Sequence, residues 1–378
     1  MNKIVVACDS FKGCLSSIEI AKIVSNGIHD VCPSCQVVEL PVADGGEGTV
    51  EALVEAMNGE MIETRVRGPL NSEVTARYGI SHDGNTAFME MASASGLPLL
   101  DPPLRNPLYT TTKGVGDMIL DAIARGCRSI LLGIGGSATN DCGMGMLIAL
   151  GYKFFNQEGK EIFSGCGKDL ENVSIVDDSE VTQEIRETRF VIACDVSNPL
   201  YGPNGAAYVY ARQKGADDEM IVRLDKGMRH FAEIINRHTG REVAATPGAG
   251  AAGGLGYAFM AFLNANLKPG VDMVLDAINF DEIIKGADMV ITGEGKIDRQ
   301  TSMGKTPQGV MTRARRQQIP VIALGGSVEE TEFLNNNGFT AIFPIQSGPL
   351  SLKEAMSKPT ASANIKRTVT QIMRLLNI

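Results

Sequence analysis

Acidic and basic residues follow two apolar segments near the start of this chain, and these residue types suit phosphate and metal chemistry. Asp9-Ser-Phe-Lys-Gly13 follows apolar residues 3–8, and Asp44-Gly-Gly-Glu47 follows a second apolar segment, residues 36–41. Carboxylates hold cations or accept protons, and lysines neutralise anions. Each acid could also simply begin a helix, but two consecutive segments that end in such loops favour a functional site.

A glycine-rich segment with hydroxyl groups, Gly135-Gly-Ser-Ala-Thr-Asn-Asp141, follows apolar residues 130–134 and precedes an apolar helical pattern. Where a strand leads through glycines into a helix, bare backbone N–H groups and the positive end of the helix can bind an anion. The spacing matches neither the dinucleotide-binding Gly-x-Gly-x-x-Gly pattern nor the P-loop. Phosphate binding and a mere tight turn therefore both remain open for this segment.

Charged residues also follow two later apolar segments. Asp195 follows residues 189–194, and Glu294 and Lys296 follow residues 287–292. A further segment, Gly304-Lys-Thr306, imitates the end of a P-loop, but Arg299 stands where that motif requires its first glycine, and the P-loop is rejected. Two lysines remain as candidates for neutralising phosphate: Lys296 and Lys305.

Strand-like apolar runs alternate with amphipathic helical patterns along most of the chain, which is typical of α/β proteins. Ser16 and Glu19 form a capping-box pattern that predicts the start of a helix. Asp83-Gly84 predicts a hairpin and therefore a region of antiparallel pairing. Functional groups in α/β folds gather at the carboxyl ends of parallel strands, so the charged residues are expected at those ends.

The length of 378 residues exceeds what one hydrophobic core usually serves, so we predict two domains. Because strands and helices alternate similarly at both termini, the fold class is predicted as two three-layer α/β domains with mostly parallel sheets, one inserted into the other. The predicted discontinuous domain comprises residues 1–68 and 286–378, and residues 69–285 form the insert. Residues 153–178 are predicted as a polar surface excursion, and residues 271–285 as one amphipathic helix.

Composition excludes several functional classes. The net charge of −9 leaves no surplus of Lys and Arg for general nucleic-acid binding. The sequence shows neither a signal-peptide pattern nor an apolar run long enough to span a membrane. Cys32 and Cys35 lack the second ligand pair of a zinc site, so we interpret them as part of a turn. These features predict a cytoplasmic protein without nucleic-acid or membrane partners.

Six motifs together resemble the bacterial type I glycerate kinase family, and the resemblance runs from residue 4 to about residue 326. The motifs, in order, are Asp9-Ser-Phe-Lys-Gly13, Ala43-Asp-Gly-Gly-Glu-Gly-Thr49, Gly135-Gly-Ser-Ala-Thr-Asn-Asp141, Ala193-Cys-Asp-Val196 with Asn198-Pro-Leu200, Gly250-Ala-Ala-Gly-Gly254 and Thr292-Gly-Glu-Gly-Lys-Ile-Asp298. Two places depart from the family pattern. Cys142 stands where the family usually has glycine, and residues 210–214 are atypical, so the loop at Cys142 is expected to differ slightly.

The resemblance implies ATP-dependent and Mg²⁺-dependent phosphorylation of D-glycerate at its 2-hydroxyl, which gives 2-phosphoglycerate. It also implies two α/β domains with restriction-endonuclease-like and flavodoxin-like topologies, with the active site in the interdomain cleft. A homodimer is a further expectation. The alternatives are a kinase that forms 3-phosphoglycerate, a kinase for another small hydroxy acid, and a nicotinamide-dependent oxidoreductase. The oxidoreductase lacks support because no strand is followed by the dinucleotide-binding glycine motif.

The chemistry of phosphoryl transfer, which depends on positioning and charge neutralisation, gives each candidate residue an expected role. Asp195 is the first candidate for the base and Asp44 the second, with Lys12 as a catalytic cation. The expected phosphate contacts are Gly135, Gly136, Ser137, Thr139, Asn140 and Lys296. The expected glycerate contacts are Asp9, Ser10, Lys12 and Asn198. The expected Mg²⁺ ligands are Asp44, Glu47 and Asp141, and the last of these could instead cap a helix.

Overall fold

The structure is a computed structural model that describes residues 1–46, 48–302 and 304–376, with strands and helices alternating along most of the chain. The strands are β1 (Lys3–Cys8), β2 (Gln36–Glu39), β3 (Glu60–Arg67), β4 (Glu73–Ile80), β5 (Thr86–Glu90), β6 (Ser129–Gly133), β7 (Lys153–Phe155), β8 (Ile175–Asp177), β9 (Arg189–Ala193), β10 (Asn266–Lys268), β11 (Met289–Ile297), β12 (Val321–Val328) and β13 (Ala341–Pro344).

Helices of very different lengths connect these strands. They are α1 (Ser17–His29), α2 (Thr49–Ala56), α3 (Ala92–Ser95), α4 (Lys113–Ala124), α5 (Met144–Ala149), α6 (Gln183–Glu187), α7 (Ala206–Tyr210), α8 (Asp218–Thr239), α9 (Ala251–Leu263), α10 (Gly270–Ala277), α11 (Phe280–Ile283), α12 (Thr306–Arg316), α13 (Thr331–Asn336), α14 (Leu352–Ala355) and α15 (Lys358–Leu376). None of the described helices is long and apolar enough to cross a membrane.

The chain forms two compact units, the first comprising Met1–Met57 and Val271–Ile378 and the second Asn58–Gly270. These boundaries differ from the predicted ones at 68/69 and 285/286. The first boundary lies earlier because β3 pairs antiparallel with β4 from Glu60 to Arg67 and so belongs to the second unit. The second also lies earlier, because α10 and α11 are tied to α12 of the first unit through Arg313, which pairs with Asp272, Asp276 and Asp281.

The first unit contains an all-parallel sheet with the strand order β13-β12-β11-β1-β2. A parallel sheet is usually covered by helices on both faces. On one face, Ile4 and Val6 of β1 belong to a core that includes Val24 of α1 and Ile365 of α15, while α12 packs against β11 and β12. The predicted capping box at the start of α1 is confirmed by hydrogen bonds in both directions between Ser16 and Glu19.

The second unit contains a mixed sheet with the order β10-β9-β6-β5-β4-β3 and a separate antiparallel pair, β7-β8. Strands β10, β9, β6 and β5 are parallel to one another, whereas β4 pairs antiparallel with both β5 and β3. The predicted hairpin is present, with the Gly84 N–H donating to the carbonyl of Ser81 at 2.8 Å. The prediction of an α/β fold with mostly parallel sheets is therefore confirmed.

Three local predictions were wrong. Residues 153–178 are not simply a surface excursion, because Phe154 of β7 is fully buried against the ring of Phe231. The helix expected over residues 271–285 is interrupted at Asn279, whose positive φ of 54° ends the regular helical path between α10 and α11. The strand expected to end at Thr292 continues to Ile297 because its last residues still pair with β12.

Candidate functional site

A cavity of about 740 Å³ lies in the first unit, toward the carboxyl ends of its central strands. Parallel strands end at one edge of their sheet, and this edge is the usual ligand site of α/β folds. Five residues to which the sequence assigns a binding or catalytic role line the cavity: Asp9, Ser10, Lys12, Asp44 and Lys296. Glu294 and Lys305 line it as well. Cations and carboxylates from well-separated parts of the chain therefore meet at one opening.

Lys12 and Asp44 form an ion pair in this cavity, with 3.3 Å between Lys12 Nζ and Asp44 Oδ2. Partial burial lowers the pKa of Lys12. The Asp44 carboxylate raises this pKa by more, so its net shift is upward. The side chains are 65% and 28% exposed. Ion pairs this open contribute little to stability, because water and salt screen them. Either side chain can therefore leave this ion pair and bind a ligand instead, at little cost in stability.

Asp9 follows β1 and is only 5% exposed. Its Oδ1 accepts from the Ser10 N–H at 2.6 Å and its Oδ2 from the Thr306 hydroxyl at 2.7 Å. Burial raises the pKa of Asp9 to about 6, although the hydrogen bond from Thr306 opposes that shift. A carboxylate with such a pKa is ionised at neutral pH and titrates close to it.

Glu294 also lines the cavity, and no sequence pattern assigns it a specific role. Its Oε1 accepts from the Thr301 hydroxyl at 2.6 Å, and its Oε2 lies 3.4 Å from Lys305 Nζ. Burial raises the pKa of Glu294. Because the sequence-based strand ended at Thr292, Glu294 was assigned to a loop; the longer β11 instead gives it a fixed register in the sheet.

Lys296 lines the same cavity and interacts with two acids of different exposure, Asp298 at 16% and Glu329 at 60%. Its Nζ lies 3.2 Å from Asp298 and 3.3 Å from Glu329, and these carboxylates raise the pKa of Lys296. The side chain is half exposed. Lys305 is the less exposed of the two candidate lysines, and its partner Glu294 is nearly buried.

The donor set of the cavity fits Mg²⁺ bound together with phosphate better than it fits a cage for the metal alone. Among the residues that the structure describes, no group of three or more acidic, Cys or His side chains is arranged to hold a metal ion. Magnesium usually takes one or two protein carboxylates and completes its shell with substrate phosphates and water. Asp44 and Asp9 can supply such carboxylates. Glu47, the third expected contributor at this edge, lies outside the described residues.

The glycine-rich segment of the second unit presents mainly backbone to solvent. Gly135 and Gly136 are exposed, whereas Ser137 is buried and Thr139 and Asn140 are fully buried. Because the side chains of Thr139 and Asn140 lie inside the protein, phosphate binding by these two residues stays a prediction. The accessible groups of this loop are those of its two glycines.

A lysine that the sequence analysis left without a role holds this loop from inside. Lys214 is fully buried, and its Nζ donates to the Ser137 hydroxyl at 2.6 Å and to the Thr139 carbonyl at 2.7 Å. Burial lowers the pKa of Lys214 to about 7. Only a short polar segment surrounds Lys214 in the sequence, and no periodic pattern marks it as buried.

Asp141 caps the turn that precedes α5. Its Oδ2 accepts from the backbone N–H of Thr112 at 2.8 Å, the hydroxyl of Thr112 at 2.7 Å and the N–H of Gly145 at 3.3 Å, and its Oδ1 accepts from the N–H of Gly143 at 3.2 Å. Burial raises the pKa of Asp141, and these hydrogen bonds oppose the shift. Of the two roles that the sequence left open, the structure favours the cap, so we remove Asp141 from the expected Mg²⁺ ligands.

Cys142, which replaces a family glycine, has a backbone conformation that favours glycine. Its φ is 49°, and its N–H donates to the carbonyl of Gly253 at 3.0 Å. Residues other than glycine adopt this left-handed region at an energetic cost. The loop therefore keeps the path that a glycine would take, with the thiol fully buried.

Asp195 and Asn198 both follow β9 but differ in what they contact. Asp195 is exposed, and its Oδ1 accepts from the N–H of Gly270 at 2.9 Å. Asn198 donates through Nδ2 to the carbonyl of Asn204 at 2.8 Å, and its Oδ1 accepts from the Tyr210 hydroxyl at 2.6 Å. Both ends of the Asn198 amide are engaged within the second unit, so this residue shapes its loop; direct glycerate binding by its side chain is not supported.

Comparison with known proteins agrees with this chemistry. A sequence model of the glycerate kinase family matches residues 4–377. A protein named glycerate kinase from Bacillus cereus is 46% identical over 100% of this chain and 98% of its own length. A protein named glycerate 2-kinase from Escherichia coli K12 is 44% identical over 98% of this chain and 99% of its own length. A crystal structure described as glycerate kinase 2 from Salmonella typhimurium LT2 superposes with a TM-score of 0.91 at 42% identity, covering 100% of this chain and 98% of the other. The chain therefore belongs to the glycerate kinase family and is an enzyme, a kinase.

Proposed function

We propose that this kinase transfers the γ-phosphoryl group of ATP to the 2-hydroxyl of D-glycerate, giving 2-phosphoglycerate and ADP. The observation that carries the proposal is the cavity of the first unit, which gathers Asp9, Lys12, Asp44, Glu294 and Lys305. Phosphoryl transfer depends on positioning and on neutralisation of charge, and this set supplies both signs of charge in one opening. The name of the Escherichia coli relative supports the 2-position.

In the reaction, the 2-hydroxyl oxygen of glycerate forms the new bond to the γ-phosphorus while the bond to the β-phosphate oxygen breaks. The hydroxyl proton passes to a carboxylate, for which Asp195 is the first candidate and Asp44 the second. Lys12 and Lys305 offset the negative charge of the transferred group. Asp44 and Asp9 would hold Mg²⁺ together with phosphate oxygens, and the metal would supply positive charge against the negative charge of the transferred group.

The remaining expectations about the site stay predictions. They are phosphate binding by the backbone of Gly135 and Gly136 with the neighbouring Ser137, glycerate binding by Ser10, and a reaction centre in the interdomain cleft. A homodimer is likewise untested. All eight cysteines are unpaired, which supports a reducing compartment such as the cytoplasm.

The test is an assay of the purified chain with ATP, Mg²⁺ and D-glycerate. Enolase converts 2-phosphoglycerate to phosphoenolpyruvate directly, whereas 3-phosphoglycerate must first be isomerised by a mutase. We expect ADP release together with a phosphoenolpyruvate signal from enolase alone. A signal that requires the mutase would establish 3-phosphoglycerate as the product, and absence of glycerate-dependent ADP would reject the proposed acceptor.

The same assay distinguishes D-glycerate from the alternative acceptors that the sequence left open. A different small hydroxy acid as acceptor would appear as faster ADP release with that acid than with D-glycerate. The nicotinamide-dependent oxidoreductase is dropped, because the chain belongs to a kinase family.

A further inference from the structure

The cavity of the first unit is lined by apolar side chains as well as by charged ones, and the apolar part of the lining is called the apolar wall here. Leu350 and Leu352 line this wall, together with Met356 and Phe11. Three of these four side chains count among the exposed large hydrophobic residues of the chain, and Leu352 is 76% exposed. Apolar side chains that lie this open around a concave, partly charged site are typical of ligand binding.

Glycerate does not account for this wall. It is a three-carbon acid with oxygens on every carbon, so it offers the leucines almost no apolar surface. Pockets for larger organic ligands measure about 300–1,000 Å³, and the volume of about 740 Å³ falls in that range. The ligand that the cavity fits is therefore larger than glycerate and carries both an apolar part and an anionic part.

Cations line the same cavity as the apolar wall. Lys12 is paired with Asp44 at 3.3 Å and Lys305 with Glu294 at 3.4 Å. The first of these pairs is largely exposed and therefore weak, so its lysine can turn to a phosphate. The carboxylates left behind are the kind of ligand that Mg²⁺ uses when it binds with phosphates.

We propose that the apolar wall of this cavity binds the adenine base of the phosphoryl donor, with the triphosphate directed toward Lys12 and Lys305. This inference rests on the proposed function, since it takes ATP as the donor, and it assigns the nucleotide to the first unit. The sequence had instead assigned the phosphates of ATP to residues 135–140 of the second unit. An aromatic base against Leu350, Leu352 and Met356 removes apolar surface from water and contacts a polarisable thioether.

Cys14 provides a reporter of occupancy, because its side chain lines the cavity and is partly exposed. Cys32 is also partly exposed but does not line the cavity, so it serves as an internal control in the same molecule. The full chain is alkylated with N-ethylmaleimide alone, with ADP, or with D-glycerate, and each cysteine is followed by peptide mass spectrometry. We expect ADP to slow alkylation of Cys14 at least about fivefold and to leave Cys32 unchanged, since bound base covers the wall.

A pair of variants tests the wall itself. Leu352→Ser removes an exposed cavity residue, and Leu375→Ser removes one that is 64% exposed on α15 and does not line the cavity. Neither side chain supports the core, so both variants should fold. For Leu352→Ser we expect an increase of about tenfold in the KM for ATP and in the Kd for ADP, with the KM for glycerate unchanged, since about 1.4 kcal/mol of apolar contact corresponds to that factor. For Leu375→Ser we expect no change.

Two results would overturn the inference. One is protection of Cys14 by D-glycerate but not by ADP. The other is a nucleotide affinity that responds to Gly135→Val, where an added Cβ meets open space, and not to Leu352→Ser. Because ADP binding needs no turnover, these outcomes are separate from the acceptor assay: a chain that binds ADP here but does not phosphorylate glycerate would refute only the proposed function.

Discussion

Lys12 and Lys214 both donate hydrogen bonds to loops that follow parallel strands, yet their surroundings differ completely. Lys12 is mostly exposed beside Asp44, and the net shift of its pKa is upward. Lys214 has almost no exposure, donates to Ser137 and Thr139, and has a pKa lowered to about 7 by burial. The same side chain is available to a ligand in the first unit and is used to hold a loop in the second.

The carboxylates repeat this contrast. The Asp44 side chain is 28% exposed, whereas Asp141 is fully buried and accepts four hydrogen bonds from its own unit. A buried polar group that is fully paired contributes to a fixed local shape, and releasing it for a ligand would leave its partners unpaired. The contrast teaches that an exposed and weakly paired motif residue such as Asp44 is available to a ligand, whereas a fully buried and fully paired one such as Asp141 shapes its loop. Asp9 falls between these cases, because it is buried and hydrogen-bonded but still lines the cavity.

The largest effect should come from Asp195, the exposed acid of the second unit. If it accepts the glycerate proton, Asp195→Asn should lower kcat about 10²–10⁴-fold, because the amide cannot take up the proton. The KM values should change little, since the side chain keeps its size. Steady-state kinetics with ATP and D-glycerate give both quantities.

Asp101→Asn, at another exposed aspartate of the second unit, is the matched control and should retain wild-type turnover. Turnover of Asp195→Asn within about threefold of the wild type would remove Asp195 from the mechanism. The chemistry would then belong to the carboxylates of the first unit, with Asp44 as the next residue to test.

The next effect is the pH dependence that Asp9 should cause. With a pKa of about 6, the carboxylate loses its charge below that pH, so kcat/KM should fall about tenfold per pH unit on the acid side. Stability should change in the opposite direction. Because the folded pKa lies above the ordinary value of 3.8, the folded state binds the proton more readily, and stability falls as pH rises from 3.8 to 6.

Asp9→Asn cannot titrate at this position, so the difference in stability between it and the wild type isolates the contribution of Asp9. Urea unfolding at several pH values measures that difference. If kcat/KM begins to fall only at pH 4 or below, near the ordinary pKa of aspartate, protonation of Asp9 does not limit activity.

A smaller effect is expected at Asp141, and it separates a cap from a metal ligand. Asp141→Asn places an amide NH₂ among N–H and hydroxyl donors and should cost about 1–3 kcal/mol of stability, measured by thermal or urea unfolding. The Mg²⁺ concentration for half-maximal rate should stay at the wild-type value. A raised Mg²⁺ requirement with unchanged stability would restore Asp141 as a metal ligand.

The sequence predicted the fold class and several element starts because those depend on local patterns. The apolar run of β1, the capping box at Ser16 and the hairpin at Asp83 need only neighbouring residues to be recognised. The extension of β11 beyond Thr292 could not be predicted in this way. Its last residues are held by pairing with β12, which lies more than twenty residues later in the chain.

The sequence predicted several of the residues that line the cavity, but not what each candidate side chain does. Residue type and position after a strand placed Asp9, Lys12 and Asp44 at a common edge, and the structure brings them to one cavity. The same reasoning could not tell that Asn140 faces inward, because the direction of a side chain in a glycine-rich loop depends on what packs beneath it. Lys214, which lies beneath that loop, carries no local signal at all.

The smallest effect is expected when Lys296 is replaced. It tests which of the cavity lysines bind ATP. Lys296 is 52% exposed and already pairs with both Asp298 and Glu329, whereas Lys305 is 35% exposed and pairs with Glu294 alone among the acids that the structure describes. Lys296→Ala should change the KM for ATP by less than about twofold, because an open, screened cation adds little to binding. Lys305→Ala should raise it about tenfold, because it both removes a cation and leaves Glu294 without its partner, so that the pKa of Glu294 rises further. If the two variants shift the KM for ATP equally, exposure is not what separates binding residues from the others, and the contrast between Lys12 and Lys214 would have to be explained by their position alone.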